Sequence, residues 1–280
     1  AMAGRLGIAI DLIKFDEITK NLPMIVDLKP SGTGYMEDLY KAGGSQRIFY
    51  ELKDFLYLDA KSVNGTTLGE EIKNSAKWTQ NIITDKSNPV FNAGSIAVLK
   101  GTLAPNSAII KQSAATESLL IHEGRAVVFE GLEDLANRID RDDLDVTKDD
   151  VLVLKSIGPK GGPGMPEAGL IPIPKKLAKQ GVKDMVRISD GRMSGTASGT
   201  IILHVTPESY ENGPLAIVEN GDLIKLDVPK RKIDLMISEE EIAERLLKRK
   251  ELSIRRRGYN KIYMEHVTQA DRGVDFDFLI

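Results

Sequence analysis

The sequence predicts an α/β segment followed by a mainly β, barrel-like domain with a terminal helix. Three observations carry this. Residues 1–85 run through helix, strand and helix patterns in turn. From about residue 90 to 237, short apolar runs alternate with turn residues. Ser238-Glu239-Glu240-Glu241 then has the form of a helix cap. At roughly 150 residues per domain, the 280 residues suggest two domains. We place them at 1–88 and 89–280.

In chain order, Ala3 to Ile13 reads as the middle of a helix, and Ala1 precedes Met2. The opening is therefore expected to be a piece cut from something longer. Phe15-Asp16-Glu17-Ile18 reads as a helix start, with Ile18 and Leu22 on one face. Met24-Ile25-Val26, ending at Pro30-Ser31-Gly32, suits a buried strand and a turn. Met36, Leu39 and Tyr40 have helical spacing that Gly43-Gly44 stops. Ile48, Phe49, Leu52, Phe55 and Leu56 follow the amphipathic period. Thr67 to Glu70 has capping-box spacing.

Strand-like runs follow at Ser95–Leu99, Ala108–Ile110, Ala126–Phe129, Val151–Leu154, Met185–Ile188 and Thr200–Val205. Asn220-Gly221 separates Leu215–Val218 from Leu223–Val228, which signals a hairpin. Ile224, Leu226 and Val228 should face inward and Lys225 and Asp227 outward. After the turn Pro229–Arg231 comes Ile233–Ile237, so the whole reads as a meander. The last helix should run to about Lys250 with Ile242 and Leu246 inside, and Arg255-Arg256-Arg257, just past it, should be a solvated, dipole-compensating helix end rather than a substrate clamp.

Composition excludes several functions. Lys plus Arg is 38 and Asp plus Glu is 41, so bulk positive charge for nucleic acid is absent. There is no cysteine, which removes disulfides, thiolate zinc sites, a cysteine nucleophile and an iron–sulfur cluster held by this chain. No apolar run approaches the ~18 residues of a membrane span. Leu6–Ile10 is broken by Asp11 and does not read as a signal peptide, so a cytoplasmic protein is expected.

Two segments could hold chemistry. Gly158 to Gly169 is too rich in Gly and Pro for helix or central strand. Its glycines could turn several N–H groups toward a ligand, and its carboxylate Glu167 suits a Mg²⁺ ion that keeps waters and substrate oxygens. The alternative is a mobile surface loop. Ser189 to Thr200 alternates small hydroxyl residues with glycine after an apolar run, with Arg192 available as a charge. It reads as an anion- or hydroxyl-binding loop, or as a turn without chemistry. Serine needs activation, and His122, His204 and His266 lie in no nucleophile-elbow context. His204, in Leu203-His204-Val205, reads as a satisfied core histidine, His122 as a turn residue and Trp78 as packing.

These stretches resemble the dihydroxy-acid and sugar-acid (aldonic acid) dehydratase family. The resemblance lies in Gly94–Ser113, Gly158–Gly169 (GPKGGPGMPEAG), Ser189–Gly195 (SDGRMSG), His204–Glu208 (HVTPE) and Gly213–Asp227, and residues 1–85 look like the family too, at Val26–Gly34 and around Gly34-Tyr35-Met36. The tail Arg257–Leu279 looks more like the aldonic-acid branch. The resemblance implies that residues 1–88 are the C-terminal part of an α/β domain and 89–280 a barrel of the swivelling-domain type. Family members are about twice this long, and their other half carries the cluster cysteines and most Mg²⁺ ligands. Residue by residue, Glu167 matches the family's Mg²⁺ ligand and Ser194 the serine proposed as base. Ser189, Asp190, Arg192 and Thr196 are substrate neighbours by position.

The implied reaction removes water from a 2,3-dihydroxy acid to leave a 2-keto acid, with Mg²⁺ at the carboxylate and C2 oxygen and the cluster at the C3 hydroxyl. The chain is then expected to be inactive alone, with a small sugar acid or dihydroxy acid as ligand. Its macromolecular partner would be a second copy or the cysteine-bearing half, docked on an apolar face. Two alternatives stay open. One is a non-catalytic barrel used for binding or oligomer contacts. The other is a Mg²⁺-dependent hydrolase, which needs a histidine within reach of Ser194.

Overall fold

The computed structural model describes all residues except 74, 76–79, 196, 250–256 and 280. Trp78, Thr196, Arg255, Arg256 and the expected helix end at Lys250 therefore lie outside the described residues. The chain forms two compact units, Ala1–Glu17 with Ile96–Ile280, and Ile18–Ser95.

The chain opens with α1 (Met2–Arg5) and α2 (Leu12–Thr19). The expected helix through Ala3–Ile13 is broken, because Gly7 takes φ +69° and residues 8–11 are irregular. Asp11 accepts the Ile13 amide (2.9 Å), so α2 starts there rather than at Phe15. Leu22 falls beyond its end.

The smaller unit holds α3 (Met36–Lys41), α4 (Gly44–Glu51) and α5 (Leu68–Lys73). Gly43 stops α3 at φ +103°. The amphipathic stretch does not run on to Leu56. It ends at Glu51, and a 3₁₀ turn, Lys53–Phe55, leaves Phe55 exposed. The capping box forms as expected, with Thr67 N on Glu70 Oε2 (2.8 Å) and Glu70 N on Thr67 Oγ1 (3.3 Å). Met24-Ile25-Val26 is not a strand. It makes single bridges, Met24 to Phe91 and Val26 to Ile83, between prolines that cannot donate to a ladder. Ile25 is nonetheless buried, with Ala42 and Ile83.

The larger unit carries β1 (Ala97–Leu99), β2 (Ser107–Ile110), β3 (Ile121–Phe129), α6 (Leu132–Arg138), β4 (Val151–Leu154), α7 (Lys175–Lys179), β5 (Arg187–Ser189), β6 (Ile201–Thr206), β7 (Leu223–Asp227), β8 (Lys232–Leu235), α8 (Glu239–Lys248) and α9 (Tyr259–His266). The strand order is β1-β2-β6-β5-β4-β3-β7-β8. Lys100, just past β1, bridges Lys232 of β8, so the edges meet and the sheet is a nearly closed barrel.

It is not a meander. β3, β4, β5 and β6 are mutually parallel neighbours. Parallel strands need crossovers, and α6 and α7 supply two of them. Alternation then serves two cores. Ala126, Val128, Val151 and Val153 join the barrel interior, while Val127, Phe129, Leu152 and Leu154 pack outside with Leu135, Ile139 and Leu177. Burial on both faces explains the unbroken apolar runs.

The Asn220-Gly221 hairpin is also overturned. Pro214, which fixes φ and has no N–H, opens a 3₁₀ turn through Ile217 instead of a strand. Leu215 and Val218 are buried in that form. Gly221 still turns the chain at φ +92°, and β7 pairs with β3 and β8. Ile224, Leu226 and Val228 do face inward. Lys225 is exposed, whereas Asp227 is buried. Ser238 caps α8 through the Glu241 amide (3.1 Å), and Ile242 and Leu246 pack on the barrel core. No helix among the described residues is long and apolar enough to cross a membrane.

Asp16 ties α2 to the barrel. It accepts the Val98 amide (2.9 Å) and the Arg231 Nε (2.8 Å). Asp16→Ala strands both donors and should lower the stability of this unit by about 2–3 kcal/mol, read as the shift in its urea unfolding midpoint at unchanged slope.

Candidate functional site

The site grows from the ends of β4, β5 and β6. Because these strands are parallel, the segments leaving their C-terminal ends emerge along one barrel edge. After β4 comes the glycine-rich loop, irregular throughout as expected. After β5 comes the loop of Ser189 to Gly199. After β6 come Pro207 and Glu208.

The glycine-rich loop does not turn its first amides toward open space. Ser156 N (3.3 Å) and Ile157 N (3.0 Å) donate to Asp190. Lys160 N (2.9 and 3.0 Å) and Gly161 N (2.9 Å) donate to Glu208. The expected nest exists, but the chain's own carboxylates fill it. The approach is close enough that a Cβ at Gly158 would lie 2.7 Å from Glu208 Oε2. Gln269 of the tail completes the anchor, with its Nε2 on Glu208 Oε1 (2.7 Å) and its Oε1 accepting the Glu208 amide (2.8 Å).

Asp190 and Glu208 are fully buried. Burial pushes both carboxyls above their ordinary range, despite the amides that favour the charged forms. The charge of Asp190 raises Glu208 further.

Among the sequence-predicted residues, Ser189 and Asp190 are sealed from solvent. Ser189 Oγ accepts the Gly191 amide (3.0 Å), and Asp190 also accepts the Ser209 amide (2.9 Å). Arg192 joins the two loops. Its Nε donates to the Met165 carbonyl (2.5 Å), its Nη1 reaches Glu167 Oε1 (3.2 Å), and its own carbonyl accepts the Gly169 amide (2.6 Å). A Cβ at Gly169 would sit 2.7 Å from that carbonyl oxygen, so only glycine permits the contact. Glu167 is half-exposed, and Ser194 is half-buried two residues beyond Arg192. The far end of the second loop is held by Asp184, which accepts from Thr200 Oγ1 (2.8 Å), Thr116 Oγ1 (2.7 Å) and Arg187 (2.7 Å).

His204 departs from the sequence reading. It is not a satisfied core residue, because its buried Nδ1 has no hydrogen-bond partner. Burial and the nearby charge of Arg192 lower its pKa. His122 lies within β3, not a turn, and contacts the Asp149 carbonyl (2.8 Å) through Nε2. His266 contacts Asp277 (2.8 Å). None of the three histidines hydrogen-bonds to Ser194, which removes the support for a histidine-activated hydrolase.

Glu208, Gln269 and His204 were given no role from sequence. The signals were an acidic residue and a proline directly after an apolar strand, and the family-like stretch His204–Glu208. No group of three or more His, Asp or Glu side chains able to hold a metal occurs among the described residues. Glu167 is an open carboxylate, and it fits as a single ligand of a Mg²⁺ ion completed by other oxygens. An iron–sulfur cluster does not fit this chain, which has no cysteine. A separate cavity of about 470 Å³, beside Glu130, Lys155, Arg245 and Arg249, is lined by neither Glu167 nor Ser194.

Residues 81–274 match the family described as dihydroxy-acid/6-phosphogluconate dehydratase C-terminal, and residues 1–71 match its N-terminal counterpart. The chain is 45% identical over its full length to an L-arabinonate dehydratase of Rhizobium leguminosarum bv. trifolii, of which it covers 49%. It is 40% identical to a 6-deoxy-6-sulfo-D-gluconate dehydratase of Pseudomonas putida, covering all of this chain and 49% of that one. It is 38% identical to a dihydroxy-acid dehydratase of Methanococcoides burtonii, with 98% of this chain and 50% of that protein covered. The chain spans about half the length of the curated relatives it matches.

The raised pKa of Glu208 fixes a pH dependence. The native state holds this proton more tightly than the unfolded chain, so the contribution of Glu208 to stability is full below the ordinary glutamate range and is lost as pH rises through its native value. Glu208→Gln does not titrate. The stability of the parent chain relative to this variant should therefore fall as pH rises above the ordinary glutamate range, about 4.3, in urea unfolding at stepped pH.

Proposed function

The chain belongs to the dihydroxy-acid/6-phosphogluconate dehydratase family, and on that premise we propose that its two zipped loops form part of a hydro-lyase site. The substrate is a 2,3-dihydroxy sugar acid and the product a 2-keto-3-deoxy acid. One observation carries this reading. Arg192, two residues before Ser194, bonds to Met165 and Glu167 of the glycine-rich loop, which draws the two matched positions toward one edge of the barrel.

Ser194 is the base in this proposal. The proton on C2 passes to its deprotonated oxygen, the C2–H electron pair forms the C2–C3 double bond, and the C3–O bond breaks to release hydroxide. The hydroxide takes that proton from Ser194 to leave as water, which restores the base, and the enol relaxes to the keto acid. A serine hydroxyl is too weak an acid to do this unaided. Mg²⁺, held in part by Glu167, would supply charge stabilisation at the acid's carboxylate and C2 oxygen. Arg192 keeps Glu167 oriented and adds positive charge for an anionic substrate. Thr196 stands as a substrate neighbour by position. The buried Ser189 and Asp190 shape the loops rather than touch the acid. No residue of this chain is assigned to the departing C3 hydroxide.

An aldonate is the preferred substrate class, since identity is 45% to the L-arabinonate dehydratase against 38% to the dihydroxy-acid dehydratase. A second reading, a barrel used for contacts, draws on one observation. Met2, Leu6, Ile8, Ile10 and Ile13 are 46–85% exposed, an apolar run suited to a second copy or a cysteine-bearing half.

Two outcomes are expected. The chain alone, anaerobic with Mg²⁺, should form no 2-keto acid from L-arabinonate. Turnover should appear when a cysteine-bearing N-terminal half is added, and Ser194→Ala should then lower kcat by about 10²–10⁴-fold. Turnover by the chain alone would contradict this division of labour. Ile8→Glu with Ile10→Glu should shift sedimentation toward the monomer if the exposed run meets a second copy.

A further inference from the structure

His204 sits at the one irregularity of β6. The β2–β6 register slips between Ile109–Leu203 and Ser107–Thr206, so β6 carries one extra residue there. His204 takes φ +54° in this bulge. A left-handed conformation at a non-glycine residue persists only where its surroundings enforce it, and bulges re-aim side chains. The surroundings are those of the candidate site. The His204 amide leaves the strand ladder and donates to the Gly191 carbonyl (3.1 Å), one residue before Arg192. The preceding Leu203 packs against Gly169 of the glycine-rich loop.

The ring is half sealed. Nδ1 is buried without a partner. Among the described residues Nε2 makes no hydrogen bond, yet it is not among the buried unpartnered atoms. An orphaned buried N–H is rarer in folded proteins than an under-satisfied acceptor, so the proton belongs on Nε2. Burial and the charge of Arg192 both favour the neutral ring. The result is an uncharged N–H donor at the site edge, within the field of the Arg192 charge.

We propose that His204 is a substrate-binding residue whose Nε2–H donates a hydrogen bond to an oxygen of the bound hydroxy acid, next to Arg192. The proposal rests on the site reading given above and adds a polar contact to it. It also gives the bulge a purpose, since unbroken alternation would leave this position without that aim.

The chain has three histidines, which makes the test direct. Long-range ¹H–¹⁵N correlation on the labelled full chain reports each ring's tautomer, and titration with L-arabinonate plus Mg²⁺ reports contact. We expect His204 as the Nε2–H tautomer, with its Nε2 signal moving alongside the Ser194 and Gly195 amides. His204→Phe should weaken L-arabinonate binding about 10-fold, and His204→Gln, which keeps an N–H donor, should recover most of it. If His204→Phe does not fold, the parent chain's tautomer and titration still decide. An Nδ1–H tautomer, or Ser194 and Gly195 shifts with a silent His204, overturns the assignment and leaves the site reading standing. No shift anywhere in 158–199 overturns both.

Discussion

Asp190 and Glu208 hold the glycine-rich loop by its backbone, and the arrangement of the site follows from that. A loop built from glycine and proline has few side chains with which to pack, so something else must fix its path. Here four consecutive or near-consecutive amides, of Ser156, Ile157, Lys160 and Gly161, are captured by two carboxylates that never see water. Burying a carboxylate is costly unless donors surround it. The donors are present, yet burial still raises both pKa values, so the anchors are held against an electrostatic strain. Asp190 belongs to the second loop and Glu208 to the end of β6. One pair of acids therefore sets three chain segments against one another, and Gln269 adds the tail as a fourth.

The barrel makes that convergence possible. β4, β5 and β6 are adjacent and parallel, with Leu154 opposite Ser189 and Ile188 opposite Ile202. Their C-terminal ends share an edge, so residues 155, 190 and 207 start from neighbouring points although they are tens of residues apart in sequence. Open α/β sheets gather ligands at the carboxyl ends of parallel strands for the same reason. A meander would have sent alternate loops to opposite ends and separated Glu167 from Ser194.

That difference marks what could be read from the sequence. The strand runs were legible because burial on both faces writes itself as Val-Leu-Val-Leu in β4. Local chemistry was legible too, in the Thr67–Glu70 box and the Ser238 cap. Pairing direction was not, since an apolar run has the same composition whether its neighbour is parallel or antiparallel. Asn220-Gly221 misled because a turn signal does not say what precedes it, and Pro214 had already committed Leu215–Ile217 to a 3₁₀ turn. Gly7 was a single residue within a helical period, and its left-handed φ decided the break. Within the site, motifs singled out Glu167, Arg192 and Ser194. They could not show that Asp190 is an anchor, or that His204 sits in a bulge of its strand, because both depend on partners from distant segments.

Rigidity and softness are divided within the site. The base of each loop is fixed by buried bonds, Asp190 and Glu208 on one side and Asp184 with Arg187 on the other. At the tip Arg192 holds the Met165 carbonyl (2.5 Å) and the Gly169 amide (2.6 Å), while its pair with Glu167 is looser, at 3.2 Å and with side chains 45% and 50% exposed. An ion pair so exposed contributes about 0–1 kcal/mol. Breaking the anchors would release the loops, whereas exchanging the Arg192 contact for another cation or an anion costs little. Glu167 is therefore placed by the fold but not committed to its partner. In the proposed site, where Glu167 would take a metal and Arg192 would meet an acid, such a pair is compatible with both roles because it is weak.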